Sequence, residues 1–187
     1  MARWEPNARG RLERAALDLY SERGFDATTV KEIAQRAGVT ERTFFRHFAD
    51  KREVLFPAHA LRDVLVAALA EVPADVAPLD AVSVTFQSAT DVFEGRRETV
   101  RRRQAVIATH PELQERELIK LASIAAALAA ELRRRAVAEP YASLAAETGV
   151  AVFKTAFERW VNEPDPPDFA QLIRDTFDAL RAVTSGQ

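Results

Sequence analysis

Four consecutive polar residues, Thr40, Glu41, Arg42 and Thr43, stand at the start of a short amphipathic segment. The planar guanidinium group of an arginine can donate two parallel hydrogen bonds, which matches the paired acceptors of guanine. A threonine offers a methyl group that suits thymine and a hydroxyl group that suits a phosphate. Arg42 is therefore a candidate for contact with guanine, and Thr43 for contact with thymine or phosphate, if a helix carries them into a major groove.

The surrounding residues predict two short helices separated by a tight turn. Thr29 can cap the first helix, and Glu32, three residues later, completes a capping box. Gly38 lies where this helix must end, and Thr40 can cap the next one. Two helices joined in this way are typical of a helix-turn-helix motif, whose second helix lies against base edges. The same caps would also suit an ordinary helical bundle.

Residues 12–55 also resemble the DNA-binding domain of the tetracycline-repressor (TetR) family of transcriptional regulators. The segments that carry the resemblance occur in the family's order and spacing, and they are Ala15–Phe25, Thr28–Thr40, Thr43–Phe48 and Asp50–Leu55. The resemblance implies phosphate contacts at four positions, which are Thr28, Thr29, His47 and Lys51. Phe45 stands where the family usually has a tyrosine whose hydroxyl touches a phosphate, and phenylalanine cannot form that hydrogen bond.

The composition is that of a globular protein, with 187 residues, 48% of them hydrophobic and 29% charged. The net charge of −2 is unevenly divided, because residues 1–56 hold 11 Lys and Arg against 9 Asp and Glu. Double-stranded DNA is thus an acceptable partner for the N-terminal part. The chain has no cysteine, which excludes disulfides and thiolate chemistry. We expect a cytoplasmic protein that does not enter a membrane, because the N-terminus lacks an apolar core and the apolar runs are short.

The fold predicted from the apolar spacing is all-α, with about nine helices. A first helix spans about residues 6–22, and the helix capped by Asp50 continues to about residue 72 with a kink at Pro57. Five further helices are predicted at about residues 80–93, 96–109, 112–138, 141–161 and 168–183. This gives a three-helix DNA-binding domain over residues 1–56 and a helical effector-binding and dimerisation domain over residues 57–187.

The last two helices carry apolar stripes that could pair two copies of the chain. The residues on these stripes are Phe153, Phe157, Trp160, Phe169, Ile173, Phe177 and Leu180. Core packing within one subunit could equally absorb them. The family resemblance favours a homodimer, because family members pair their last two helices into a four-helix bundle.

The resemblance also implies a pocket for a small-molecule effector among the middle helices. Candidate lining residues are His59, Phe86, Phe93 and Gln104, each of which could also be plain core or surface. The basic run Arg101–Arg103 could hold an anionic effector, and the pattern that follows it resembles a subgroup with effectors of the acyl-coenzyme A type. Neighbouring acidic residues could instead pair with these arginines.

Catalytic and metal-binding patterns are missing from the sequence. The three histidines are scattered, and there is no glycine-rich phosphate loop and no nucleophile elbow. We therefore expect neither an enzyme nor a cofactor. The resemblance implies a regulator, usually a repressor that an effector releases from a near-palindromic operator. The alternative is a helical ligand-binding or interaction dimer without sequence-specific DNA binding.

Overall fold

The computed structural model describes residues 7–56 and 58–185, apart from the side chains of residues 58–60. Regular structure in these residues consists of nine α-helices and two short 3₁₀ turns, which confirms the expected all-α fold. The α-helices are α1 (Ala8–Arg23), α2 (Val30–Arg36), α3 (Glu41–His47), α4 (Ala58–Glu71), α5 (Pro78–Ser88), α6 (Arg97–Ala108), α7 (Pro111–Arg134), α8 (Tyr141–Asn162) and α9 (Phe169–Ser185). The 3₁₀ turns span Glu53–Leu55 and Ala89–Phe93.

The helix predicted from Asp50 to residue 72 is divided in two by the structure. The Asp50 carboxylate accepts hydrogen bonds from the backbone N–H groups of Arg52 at 2.8 Å and Glu53 at 3.1 Å, as a cap should. The element that follows is only a 3₁₀ turn, because Phe56 leaves the helical conformation with φ −121° and ψ 71°. Helix α4 then starts at Ala58. The kink predicted at Pro57 lies outside the described residues.

The described residues fall into two compact units. The first contains residues 7–56 together with Glu98–Glu117, and the second contains residues 58–97 and 118–185. The first of these breaks lies near residue 57, and the predicted division into two functional domains at residues 56 and 57 stays a prediction. Residues 98–117, however, pack with the N-terminal unit, although the predicted boundary assigns them to the second domain.

The core of the first unit is built from apolar side chains of α1, α2, α3 and the turn Glu53–Leu55. Phe44 of α3 is fully buried, and its ring centroid lies 5.6 Å from that of Phe48. Phe25 packs edge-on against Tyr20, with 5.1 Å between the ring centroids. Phe44 and the buried residues of α1 belong to the same core, so that α3 packs against α1 through its inner face.

The turn between α2 and α3 depends on a left-handed backbone at Gly38, which has φ +67°. A side chain would strain that conformation, whereas glycine adopts it freely. The N–H of Gly38 donates to the Gln35 carbonyl at 3.1 Å, and the N–H of Val39 donates to the Ala34 carbonyl at 2.9 Å. The predicted end of the helix at this glycine is confirmed.

Arg103 of α6 ties residues 98–117 to the rest of the first unit. Its guanidinium group donates to the Leu55 carbonyl and, at 3.0 Å, to the Glu117 carboxylate. The same group lies 4.9 Å from the centroid of the Phe56 ring. A half-buried arginine with these partners is stabilised by charge-assisted hydrogen bonds and by a cation–π contact.

Two further arginines act in the same way. Arg102 donates to the Asp18 carboxylate of α1 at 2.8 Å, and Arg116 of α7 donates to the Glu53 carboxylate at 2.6 Å. Helix α6 and the first two turns of α7 are therefore joined to α1 and to the turn Glu53–Leu55 through charged side chains.

The second unit is built around α5, α8 and α9, which pack against one another. Its centre is an aromatic cluster formed by Phe86, Phe93, Phe153, Phe157, Trp160 and Phe169. Gly149 allows α8 to approach α5 closely, because a Cβ atom at this position would lie 2.2 Å from Cγ1 of Val82. The helices of this unit thus converge on buried aromatic rings.

Lys51 closes the loop between α1 and α2. Its ammonium group donates to the carbonyls of Phe25, Asp26 and Thr28 at 2.8, 3.3 and 3.0 Å, and lies 4.4 Å from the centroid of the Phe25 ring. The Lys51 carbonyl accepts a hydrogen bond from the phenol of Tyr20 at 2.6 Å. Burial raises the pKa of Tyr20, so that its phenol remains protonated and able to donate.

Replacing Lys51 by alanine should destabilise the protein by about 1 to 3 kcal/mol, because three backbone carbonyls lose a charged donor. Urea unfolding measures this loss. Lys31→Ala is the matched control, since Lys31 is an exposed lysine on α2, and we expect it to change the free energy of unfolding by less than about 0.5 kcal/mol. Equal stability of the two variants would contradict the role given to Lys51.

Candidate nucleic-acid interface

Helix α3 has one buried side and one exposed side. Phe44 points into the core with no exposed surface, whereas Glu41, Arg42 and Arg46 are exposed. Phe45 is 56% exposed. Because residues three or four apart are neighbours on a helix, Arg42, Phe45 and Arg46 form a continuous outward face with Glu41 at its edge. The structure thus places two of the four residues predicted to face the bases, Glu41 and Arg42, on this face, whereas Thr43 is half-buried and Thr40 caps the helix.

The two threonine caps are formed as predicted. The Thr29 hydroxyl and backbone N–H donate to the Glu32 carboxylate at 2.8 and 2.9 Å, and the Thr29 hydroxyl oxygen accepts from the Glu32 N–H at 3.3 Å. The bond from the Thr29 backbone N–H is the main reason why the pKa of Glu32 is lowered. Thr40 accepts from the Thr43 N–H at 3.2 Å, and the two hydroxyl oxygens lie 3.1 Å apart.

Two residues predicted to contact phosphate have structural roles. Thr28 is buried, and its hydroxyl donates to the Gly24 carbonyl at 2.8 Å. Lys51 directs its ammonium group to the three carbonyls of the α1–α2 loop. Since these donors are already used within the fold, we leave Thr28 and Lys51 out of the proposed DNA contacts.

His47 lies at the C-terminal end of α3 and is half-buried. Its Nε2 atom is shielded from solvent, and the residues that the structure describes supply no hydrogen-bond partner for it. A hydrogen bond therefore does not fix this edge of the ring. The phosphate contact predicted for His47 stays a prediction.

Sequence reasoning overlooked Arg46, which lies one turn after Arg42 on the same exposed face. The spacing of four residues was the signal that could have identified it. Lys31 adds another exposed cation on α2. By contrast, Arg36 of α2 is paired with Glu22, with the closest nitrogen and oxygen atoms 2.8 Å apart, and this hydrogen bond lowers the pKa of Glu22.

Two of the four candidate effector residues, Phe86 and Phe93, belong to one aromatic cluster. Phe86 is buried and stacks on Phe153 at 5.1 Å between centroids, and Phe93 contacts the same aromatic cluster. Gln104 belongs to the first unit, where its side-chain oxygen accepts from Arg103 at 3.1 Å. The side chain of His59 lies outside the described residues.

A polar cleft of about 250 Å³ lies between α5 and α9, and its lining includes neither Phe86 nor Phe93 nor Gln104. Arg181, at its edge, donates to Asp80 and to Asp178 at 2.6 Å each. The Arg181–Asp80 pair joins α9 to α5 across the cleft, whereas Asp178 lies on α9 itself.

Six of the seven residues predicted at the dimer interface are buried within a single chain. These are Phe153, Phe157, Trp160, Phe169, Ile173 and Phe177, and Leu180 is half-buried. The physical reason is that α5 and the turn Ala89–Phe93 cover the apolar faces of α8 and α9. The alternative of core packing within one subunit therefore accounts for these side chains.

The opposite side of α8 remains exposed. Leu144 is 60% exposed, and Ala151 and Thr155 follow it on the same face at spacings of seven and four residues. On α9, Ala179 is exposed and Val183 is 79% exposed. We refer to these five residues as the outer stripe.

Within residues 7–56 and 61–185, no group of three or more histidine or acidic side chains could hold a metal ion. None of the helices in the same ranges has the length and apolar character needed to cross a membrane.

Two protein families match most of the chain. Residues 13–57 match the family described as bacterial regulatory proteins, tetR family. Residues 76–185 match the MftR C-terminal domain, and this second match alone covers more than half of the chain.

Individual relatives agree with these matches. The HTH-type transcriptional regulator TcmR of Streptomyces glaucescens is 46% identical over 81 residues, which are 43% of this chain and 36% of TcmR. The chain thus spans little more than a third of the length of that relative. MftR of Mycobacterium tuberculosis, named as a candidate regulator of mycofactocin biosynthesis, is 25% identical over 173 residues, which are 89% of this chain and 86% of MftR.

The fold is also similar to that of a solved regulator. Thermus thermophilus FadR, a TetR-family transcriptional repressor solved in complex with lauroyl-CoA, superposes with a TM-score of 0.56 and 22% identity. The superposition covers 92% of this chain and 93% of FadR, and at this identity it supports the fold alone. From the two family matches, the chain belongs to the TetR family of bacterial regulatory proteins.

Proposed function

We propose that this protein is a sequence-specific DNA-binding transcriptional regulator that represses its target as a homodimer and is released by a small-molecule effector. The observation that carries the proposal is the outward face of α3, where Arg42, Phe45 and Arg46 are exposed on a helix anchored by Phe44. A helix of this kind can enter the major groove while its inner face stays in the core.

Arg42 and Arg46 have different roles in this proposal. Arg42, in the first turn of α3, can reach base edges and can donate two hydrogen bonds to guanine. Arg46, one turn later, adds positive charge where the helix leaves the groove, which favours contact with a phosphate. Thr29 is an exposed residue whose hydroxyl group is already bonded to Glu32, and the phosphate contact predicted for it stays a prediction.

A homodimer would present two copies of α3 to two half-sites of a near-palindromic operator. We propose that the outer stripe, rather than the buried aromatic residues, forms the dimer surface. The ring of Trp160, near the end of α8, stacks on Phe169 at the start of α9 with 4.9 Å between centroids. An antiparallel arrangement of the two helices places Val183, about 21 Å further along α9, level with Leu144 near the start of α8.

The effector must have a higher affinity for the conformation that does not bind DNA than for the conformation that binds DNA. Helix α6 offers a route for this coupling, because Arg102 and Arg103 bind it to α1 and to the segment after α3. An acyl-coenzyme A-like effector stays a proposal from the family resemblance. The basic run Arg101–Arg103 adds little support for such an effector. Arg102 and Arg103 are already paired with carboxylates, and Arg101 is the exposed member of the run.

Binding to chromosomal DNA would require a cytoplasmic location, and regulation of this kind needs neither catalysis nor a cofactor. The members of the matched family are regulatory proteins.

Arg42→Ala should weaken binding to the operator by about 1 to 3 kcal/mol, because a pair of hydrogen bonds to one base is lost. Binding to random duplex should change much less. Fluorescence anisotropy with both duplexes measures the two affinities. Arg42→Lys is the matched control, since it keeps the charge but not the planar fork, and it should lose specific binding while retaining binding to random duplex. Equal losses on both duplexes for Arg42→Ala would refute the assignment.

Leu144→Glu should convert the dimer into a monomer of 20.8 kDa, because it places a charge from each subunit in an apolar contact between helices. Sedimentation equilibrium measures the mass. Leu118→Glu on α7 is the matched control, because Leu118 is 57% exposed, close to the 60% of Leu144, and this variant should stay dimeric. A monomeric wild-type protein at micromolar concentration, or a dimeric Leu144→Glu variant, would contradict the proposed surface.

A further inference from the structure

Phe45 is a large apolar side chain at the centre of the outward face of α3. It is 56% exposed, although burying a phenylalanine is worth roughly 1.5 to 3 kcal/mol in a folded chain. Its ring rests edge-on against that of Phe44, with 5.4 Å between centroids and 82° between planes. The side chain of Phe45 thus packs against Phe44 on its inner side and is directed away from the core.

The position of Phe45 on the helix decides what it can meet. Glu41 lies one turn before it and Arg42 three residues before it, so that Phe45 shares the face proposed to meet base edges. A phosphate is an unsuitable partner, because phenylalanine has no donor and would only displace water from the anion. Insertion of an apolar side chain between base pairs is typical of proteins that bind the minor groove. It does not suit Phe45, because α3 is proposed to enter the major groove.

The major groove presents one apolar group, the 5-methyl group of thymine. We infer that Phe45 determines part of the operator sequence by packing its ring against a thymine methyl group in each half-site. This inference rests on the proposed function. It gives Phe45 a role in reading sequence, in contrast to the phosphate contact that a tyrosine would make.

Deoxyuridine provides a direct test, because it removes the methyl group and leaves the base pair unchanged. Each thymine of one operator half-site is replaced by deoxyuridine in turn, together with its symmetry mate, and affinities are measured at low salt so that all variants stay bound. For the wild-type protein we expect the substitution at one thymine position to weaken binding by about fourfold for each half-site substituted. This factor corresponds to the free energy of burying one methyl group. For Phe45→Ala the same substitution should have no effect.

Arg46→Ala is the matched control on the same face. It should weaken binding to every duplex and keep the fourfold penalty at the same thymine. A penalty of equal size in the wild-type protein and in Phe45→Ala, or no penalty at any thymine, would overturn the inference. If the wild-type protein selects no operator at all, the proposed function itself fails, and that result is distinct from either outcome for Phe45.

Discussion

The burial of Phe44 is the contact on which the DNA-reading surface depends. Phe44 has no exposed surface and packs against the core that α1 and α2 provide. Once this side chain is directed inwards, the geometry of the helix forces Arg42, Phe45 and Arg46 outwards. Gly38 and the Thr40 cap fix where α3 begins, so that the first turn presents Arg42. A single buried ring therefore sets both the orientation and the chemistry of the exposed face.

Many charged residues that resemble binding groups in the sequence are used within the fold. Lys51 holds three loop carbonyls, Arg102 and Arg103 bind α6 to the rest of the first unit, and Arg36 is paired with Glu22. These contacts reduce the number of cations available to an anionic effector or to DNA. The bonds of Arg102 and Arg103 also make α6 part of the first unit. A displacement of α6 must therefore break or move the charge-assisted bond from Arg102 to α1.

Local spacing was sufficient to predict most of the helices, the capping box at Thr29, the turn at Gly38 and the outward position of Arg42, because each depends on residues within a few positions along the chain. It failed after Asp50, where the structure interrupts the predicted helix at Phe56. The roles of Lys51 and of the aromatic stripes depend on distant contacts. Lys51 meets carbonyls more than 20 residues away, and an apolar stripe looks the same whether its own chain or a second copy covers it. In the structure Phe86 and Phe93 cover the stripe, which sequence periodicity alone could not reveal.

The most direct test of this account is selection of bound duplexes from a random DNA library with the purified protein, carried out at two salt concentrations. We predict a near-palindromic consensus, with affinity that falls steeply as salt rises because phosphate contacts release counterions. Failure to enrich any sequence at either salt concentration would contradict the regulator function and would favour a helical interaction dimer that does not read DNA.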